Sequence, residues 1–255
     1  MLLKGLQAIY SLYVMVMFFL TAIPTLLLYV LMAWLPRKRF MRFVYAYNYV
    51  WIKLWGYLCL IRFEVKGLDL KDDDQVYIIT PNHNNLFDLV ITCSQLQHLF
   101  QPLIKKELLK YPLIGQLFAL TSVPVDRSSK ESRAESLKVM TERLDSGMSI
   151  LLFPEGTRNR TDKPVKNFYD GAFKLAIQAQ VPVLPVVYLN TRLLQPVDTF
   201  WIKPGKITIE YIRPVPTEGM TLDDMENLKQ HVHDLMESHI LLHDRAFSES
   251  ADSKV

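Results

Sequence analysis

The chain has 255 residues, of which 50% are hydrophobic and 22% charged, and its formal net charge is +3. This length suits one α/β domain with additions, or at most two small domains, and the composition is that of a folded protein rather than a disordered one. The small positive charge, without any nucleic-acid motif, excludes a nucleic acid as the expected partner. Two cysteines without a CxxC or a histidine partner predict reduced structural thiols.

The N-terminal segment is long and apolar. No charged residue stands between Lys4 and Arg37, and about 20 apolar residues suffice for a helix to cross a bilayer. The segment exceeds the apolar region of a signal peptide and lacks its small-residue cleavage site. It predicts a retained membrane helix that Pro24 can kink, so that full spanning stays open. A buried core helix and a cleaved signal are the alternatives.

Basic residues follow this segment directly. Arg37, Lys38, Arg39 and Arg42 stand after it, whereas only Lys4 stands before it. By the positive-inside tendency, this asymmetry places the following domain on the cytoplasmic face of the membrane.

A second apolar stretch, residues 43–63, is crowded with tyrosine and tryptophan and is interrupted by Lys53. Aromatic rings with a polar group favour the headgroup level of a bilayer. We therefore expect a helix in or near the membrane interface, which would make residues 1–63 a set of N-terminal membrane-anchoring helices. The alternative is an aromatic helix packed on the core of the domain.

From residue 64 to 247, segments with strand and helix patterns alternate. The strand patterns lie at 76–80, 102–106, 123–125, 149–153, 183–189 and 206–212; the helix patterns lie at 86–100, 113–121, 130–147, 172–180 and 222–243. This alternation predicts an α/β domain with a mixed, largely parallel sheet flanked by helices. Residues 248–255 are expected to be a disordered tail.

The stretch NHNNLFD, residues 82–88, contains a histidine and an aspartate in the spacing HX4D. His239 and Asp244 have the same spacing, so context must decide. NHNNLFD stands between a strand end and a helix start, where open α/β sheets place their binding crevices. His239 and Asp244 end a solvent-facing helix, where we expect ordinary surface residues.

His83 and Asp88 are therefore a candidate general base and the carboxylate that orients it, with a polar turn that opens a helix as the alternative. No GxSxG motif and no cysteine in a basic setting accompany them. The attacking hydroxyl should then belong to a substrate, which gives direct transfer without a covalent enzyme intermediate.

Cations follow several of the predicted strands. FPEGTRNR, residues 153–160, combines a turn at a strand end with Arg158, whose planar guanidinium suits phosphate. Lys105, Lys106 and Arg127 stand at two further strand ends. Together they predict a site for a phosphate-bearing ligand, although each alone is equally compatible with a surface charge or a structural turn.

The motifs NHNNLFD, FPEGTR and VPVLPV, in this order, resemble those of the glycerolipid acyltransferases, specifically the lysophosphatidate (1-acylglycerol-3-phosphate) acyltransferases. The resemblance covers about residues 60 to 215. It implies transfer of an acyl chain from acyl-CoA or acyl carrier protein to the free hydroxyl of lysophosphatidate. The product would be phosphatidate, no cofactor would be needed, and the protein would work at a membrane bilayer.

The resemblance also implies residue roles. His83 would be the general base and Asp88 its partner. The acceptor would be held by residues matching the second and third family motifs and by a lysine pair: Lys105, Lys106, Arg127, Glu155, Gly156, Thr157 and Arg158. The fourth motif, associated with the acyl chain and the sheet core, would be Val181, Pro182 and Pro185.

Three rival functions remain at this level. One is an acyltransferase for another lysophospholipid or for glycerol 3-phosphate, and another is a non-catalytic membrane protein that binds phospholipids. The third, a metal hydrolase, would use the C-terminal histidines. His239 and His243 share a helical face, but there is no HExxH motif and no third ligand is evident, so no metal site is predicted.

Overall fold

The computed structural model describes residues 2–85, 87–112, 114–126 and 130–247. Its strands are β1 (Ile61–Lys66), β2 (Ile78–Pro81), β3 (Phe100–Lys105), β4 (Val123–Val125), β5 (Ser149–Leu151), β6 (Val183–Leu189) and β7 (Gly205–Tyr211). Its helices are α1 (Leu2–Met32), α2 (Arg37–Leu58), α3 (Phe87–Gln95), α4 (Ile114–Thr121), α5 (Lys130–Asp145), α6 (Gly171–Ala179), α7 (Thr191–Leu194) and α8 (Met225–His243).

The strands form one sheet in the order β1-β7-β6-β2-β5-β3-β4. Every neighbouring pair is parallel except β6 and β7, which confirms the mixed, largely parallel sheet. The inner strand β6, VLPVVYL, is buried along its whole length, as expected where helices cover both faces of a sheet. Because β2, β5, β3 and β4 are parallel neighbours, their carboxyl ends lie at one edge.

Two hydrophobic layers hold the helices on the sheet. On one face, buried residues of α6 and α8, such as Phe173 and Met236, pack together with those of α5. On the other face, Trp55 of α2 and Ile91 of α3 pack on the opposite side chains of β6 and β7. Burying one such side chain is worth roughly 1.5–3 kcal/mol, so these layers fix the helices that carry the site.

Helix α1 runs without a break through Pro24. Among the described residues, it is the one helix long and apolar enough to cross a membrane, over Lys4–Met32, and only 22% of its apolar window is buried in the protein. Outward side chains such as Leu12 and Leu27 are more than 60% exposed. An exposed apolar surface of this kind is typical of a helix that contacts a membrane.

Helix α2 packs one face on the domain and exposes the other. Ile52 and Trp55 are buried in the core beside α3 and β1, whereas Val50, Leu54 and Tyr57 are exposed. The alternative expectation, an aromatic helix packed on the core of the domain, therefore holds for the buried face of α2.

The structure corrects the ends of three predicted elements. The helix expected over 43–63 ends at Leu58, because Leu60 adopts a left-handed conformation (φ 55°) and the chain then enters β1 beside β7. The helix expected over 86–100 ends at Gln95, since Phe100 pairs with Ser149 in the sheet. The strand expected over 149–153 ends at Leu151. The predicted tail at 248–255 lies outside the described residues.

The expectation for the second His–Asp pair was wrong. Asp244 is fully buried, and its Oδ2 accepts the backbone N–H of Asn190 at 2.9 Å. This carboxylate ties the end of α8 to the turn before α7, which the sequence could not show because the two residues are far apart in the chain.

Candidate active site

The loop after β2 is held by asparagine side chains. The Oδ1 atom of Asn85 accepts the N–H of Phe87 at 2.9 Å and starts α3, while its Nδ2 donates to the carbonyl of Thr191 at 2.9 Å. Asn82 Oδ1 accepts the backbone N–H of Tyr188 in β6 at 2.7 Å, and its Nδ2 donates to the carbonyl of the same residue at 3.2 Å. An amide is needed at each position because it donates and accepts at once.

His83 and Asp88 meet as predicted. His83 Nδ1 lies 2.7 Å from Asp88 Oδ2, and the same oxygen accepts the backbone N–H groups of Asn84 and Asn85. Asp88 is fully buried in the first turn of α3, where the helix dipole favours a negative charge. An oxygen that accepts two N–H groups is an acceptor toward the ring as well, so Nδ1 carries the proton.

The other ring nitrogen of His83 is free to act as a base. Nε2 makes no hydrogen bond to any residue that the structure describes, and the side chain is 16% exposed. The ring stacks on Phe153, with centroids 4.2 Å apart and planes at 26°, which limits its rotation. With the proton fixed on Nδ1, the lone pair of Nε2 is available to a substrate hydroxyl.

Glu155 joins the NHNNLFD loop to the FPEGTR loop. Its Oε1 accepts the N–H of His83 at 2.7 Å and its Oε2 accepts the N–H of Lys166 at 3.0 Å. The carboxyl is fully buried, and burial raises its pKa to about 7, although the two N–H groups act in the opposite direction. Both oxygens are occupied, so Glu155 positions the loops rather than contacting a phosphate.

The rest of the FPEGTR loop turns toward solvent. Gly156 adopts φ +68°, and a Cβ there would lie 2.7 Å from the ring of Tyr169, so both conformation and space require glycine. The hydroxyl of Thr157 accepts Lys166 Nζ at 2.7 Å. Arg158 is half-buried and makes no hydrogen bond or ion pair to a described residue, which leaves its guanidinium available to an anion.

The other predicted cations are placed only in part. Lys105 and Lys106, at the end of β3, are exposed, and Lys106 Nζ lies 3.7 Å from Asp126 Oδ2. Arg127 lies outside the described residues. The strand order nevertheless puts the carboxyl ends of β2, β5 and β3 at one sheet edge, so NHNNLFD, FPEGTR and the lysine pair share that edge.

The fourth motif lies at the opposite end of its strand. Val181 and Pro182 precede β6, where the carbonyl of Pro182 accepts the N–H of Ile78 at 3.0 Å, and Pro185 is paired with Thr80 inside the sheet. Since β6 runs parallel to β2, its amino end is distant from His83. These residues contribute to the sheet core.

An apolar cavity of about 270 Å³ lies between α3 and the N-terminal helices. It is enclosed by α1, α2, α3 and α4, and its lining includes Phe18, Ala22, Trp51, Trp55, Phe87 and Cys93. Phe87 directly precedes Asp88 in α3, so the cavity adjoins the His–Asp pair. An apolar cavity bounded by a membrane helix suits a hydrocarbon chain.

Sequence reasoning missed Arg192, which binds both loops. Its Nε donates to Asn84 Oδ1 at 3.2 Å, and Nη1 donates to the carbonyl of Thr161 at 2.8 Å. Nη2 donates to the carbonyls of Asn159 and Lys163 at 3.3 and 3.4 Å. One sequence signal could have pointed to Arg192: it stands just after β6. Because β6 is parallel to β2, the carboxyl ends of both strands lie at the same sheet edge.

The chain matches the acyltransferase family model over residues 62–189. It is similar to the 1-acyl-sn-glycerol-3-phosphate acyltransferase of Limnanthes douglasii, with 35% identity over 51% of this chain and 47% of that protein. It is also similar to the human 1-acyl-sn-glycerol-3-phosphate acyltransferase alpha, with 33% identity over 71% of this chain and 64% of that protein. The matches thus span about half to two thirds of these relatives.

The fold is that of the 1-acyl-sn-glycerophosphate (LPA) acyltransferase PlsC from Thermotoga maritima. The TM-score is 0.78 at 23% sequence identity, over 93% of this chain and 95% of that one. Because the family match covers half of its length, this chain belongs to the acyltransferase family.

Proposed function

We propose that the protein transfers an acyl chain from a thioester donor, acyl-CoA or acyl carrier protein, to the free hydroxyl of lysophosphatidate and so forms phosphatidate. The observation that carries this proposal is the His83–Asp88 pair, whose ring nitrogen Nδ1 is fixed by a buried carboxylate at 2.7 Å while Nε2 is unpartnered within the described structure. Similarity to the 1-acyl-sn-glycerol-3-phosphate acyltransferases of Limnanthes douglasii and human supports the choice of acceptor.

The reaction follows from this geometry. His83 Nε2 takes the proton of the acceptor hydroxyl as its oxygen attacks the thioester carbonyl. The tetrahedral intermediate then collapses: the C–O bond stays, the C–S bond breaks, and the leaving thiolate receives the proton from His83. Asp88 keeps the ring in one tautomer and stabilises its positive charge during transfer.

The oxyanion needs a donor other than the N–H groups of Asn84, Asn85 and Phe87. Those of Asn84 and Asn85 donate to Asp88, and that of Phe87 donates to Asn85. These groups shape the His–Asp pair and are not free to stabilise the intermediate.

The phosphate of the acceptor is bound at the same sheet edge in this proposal. Arg158 provides the unpaired guanidinium, and Lys105 and Lys106 add positive charge at that edge. Arg127, outside the described residues, is assigned to the same phosphate by the resemblance of its motif. The apolar cavity beside α3 receives the acyl chain. Helix α1 holds the site at the bilayer, where both lipids reside, with the domain on the cytoplasmic face.

The acceptor assignment is tested by comparing acceptors and one arginine. Arg158→Ala removes a charge-assisted hydrogen bond worth about 1.5–3 kcal/mol, so the KM for lysophosphatidate should rise roughly tenfold to a hundredfold, with little change in the KM for the donor. Steady-state rates with lysophosphatidate, glycerol 3-phosphate and a choline lysophospholipid would be measured in detergent.

The matched control is Arg160→Ala, because Arg160 lies on the same loop but pairs with Asp198 at 2.9 Å. It should leave both KM values unchanged. If Arg158→Ala altered only the KM of the acyl donor, the phosphate assignment would be wrong. If the protein preferred the choline lipid or glycerol 3-phosphate, that compound would be its acceptor instead of lysophosphatidate.

A further inference from the structure

A second polar cluster lies on the face of the sheet that α8 covers. Ile209 and Tyr211 of β7 are buried in the opposite layer, so the strand alternation turns Glu210 toward α8. His239 and His243, one helical turn apart, stand on α8 beside it. In the strand register, Glu210 of β7 lies opposite Val187 of β6. The cluster is therefore on the face of the sheet rather than in the loop that carries His83.

The three side chains converge. His239 Nε2 lies 3.1 Å from Glu210 Oε1, and the rings of His239 and His243 have centroids 4.7 Å apart. One donor atom from each of the three side chains lies within 4.8 Å of the others. The fold thus supplies a third ligand for the histidine pair, on a strand distant in sequence.

Hydrogen bonding does not account for this cluster. Among the described residues, neither His239 Nε2 nor Glu210 Oε2 has a hydrogen-bond partner, although both atoms are buried and Nε2 lies 3.1 Å from Glu210 Oε1. The approach of His239 Nε2 to Glu210 Oε1 is thus an ionic contact that lacks the geometry of a hydrogen bond. Buried polar groups without partners are rare and call for an explanation such as an unoccupied ion site.

We propose that Glu210, His239 and His243 bind one divalent transition-metal ion of the Zn²⁺ class. Two imidazoles and one carboxylate are a ligand set that zinc accepts, with water in the remaining position. His243 is exposed, and the side chains of His239 and Glu210 are 28% and 17% exposed, so the cluster borders solvent on the His243 side while Nε2 and Oε2 themselves are buried.

The metal acts as a clamp between β7 and α8. Met236 and Ile240 anchor α8 in the core, so the two histidines are held in place before the ion arrives. An ion that binds only the folded chain stabilises it in proportion to its affinity. This role is independent of acyl transfer.

The experiment uses tag-free, full-length protein in detergent, treated with EDTA and dialysed. Isothermal titration with ZnCl₂ should show one ion per chain, and the unfolding temperature should rise on addition of Zn²⁺ but not of Mg²⁺. His243→Ala should weaken Zn²⁺ binding at least tenfold, and Glu210→Gln likewise. Because His243 is exposed, its replacement leaves the core intact, which circular dichroism would check.

Two controls separate this site from other histidines. His231→Ala changes an exposed histidine on the same helix, and His83→Ala changes the proposed base; both should bind Zn²⁺ like the wild type. The proposal is overturned if no stoichiometric binding occurs, if His243→Ala and Glu210→Gln leave it unchanged, or if binding is lost in His83→Ala instead.

Discussion

At the residue scale, the site depends on two carboxylates that accept hydrogen bonds from backbone N–H groups. Asp88 accepts two of them besides the ring of His83, and Glu155 accepts the N–H groups of His83 and Lys166. Such bonds fix His83 through both its ring and its own N–H. The proposed base is therefore oriented before any substrate binds, which is what general-base catalysis requires.

The raised pKa of Glu155 gives a pH prediction. Its pKa is about 7 in the folded protein against an ordinary value of 4.5, because the carboxyl is buried. The folded state then holds this proton more tightly than the unfolded state. The contribution of Glu155 to the free energy of unfolding should be full below about pH 4.5 and fall by about 1.4 kcal/mol per unit up to about pH 7.

Glu155→Gln does not titrate and serves as the reference. The difference in free energy of unfolding, wild type minus variant, would be measured by urea denaturation in detergent at pH 5 and pH 7. It should be larger at pH 5. A difference that stays constant or grows toward pH 7 would show that the carboxylate form is the one favoured by folding.

At the element scale, α7 connects β6 to the two site loops through Arg192. Replacing Arg192 by alanine removes its bonds to Asn84 and to the loop carbonyls of Asn159, Thr161 and Lys163. Because these bonds position the base and the FPEGTR loop, kcat should fall roughly tenfold to a hundredfold, as for other outer partners of a reactive group.

Arg213→Ala, which changes an exposed arginine after β7, is the control and should keep full activity. A double-mutant cycle with Asn84→Ala would test the coupling, since the two losses should be less than additive. If Arg192→Ala kept the wild-type kcat with only a lower unfolding temperature, Arg192 would be structural and not a positioning residue.

The sequence allowed the His83–Asp88 pair to be predicted because both residues belong to one short strand-to-helix connection. Arg158, Lys105 and Lys106 could be placed at strand ends by the alternation of elements. Arg192 and Asp244 could not be predicted, since their partners Asn84 and Asn190 are distant in the chain. Strand β1 was missed because the apolar composition of α2 continues into it without a turn signal.

At the scale of the whole molecule, α1 and α2 form one wall of the apolar cavity, and the sheet edge holds the polar site. The cavity of about 270 Å³ should therefore limit the length of the acyl chain that the site accepts. Ala22→Phe adds a ring to the α1 wall and should shift the ratio of kcat/KM toward a C10 over a C16 acyl donor, roughly tenfold or more.

Val16→Phe enlarges an exposed residue of the same helix that does not line the cavity, and it should leave this ratio unchanged. Rates with the two donors would be compared for both variants. An equal loss for C10 and C16 in Ala22→Phe would place the acyl chain elsewhere.

Direct transfer by His83 is tested most directly by thiol release from a long-chain acyl-CoA, followed with and without lysophosphatidate in wild type, His83→Ala and the surface control His231→Ala. Release should require the acceptor, match phosphatidate formation, and fall about 10² to 10⁴-fold in His83→Ala with its fold retained. Acceptor-independent release, or a His83→Ala variant that keeps most of its activity, would contradict the mechanism.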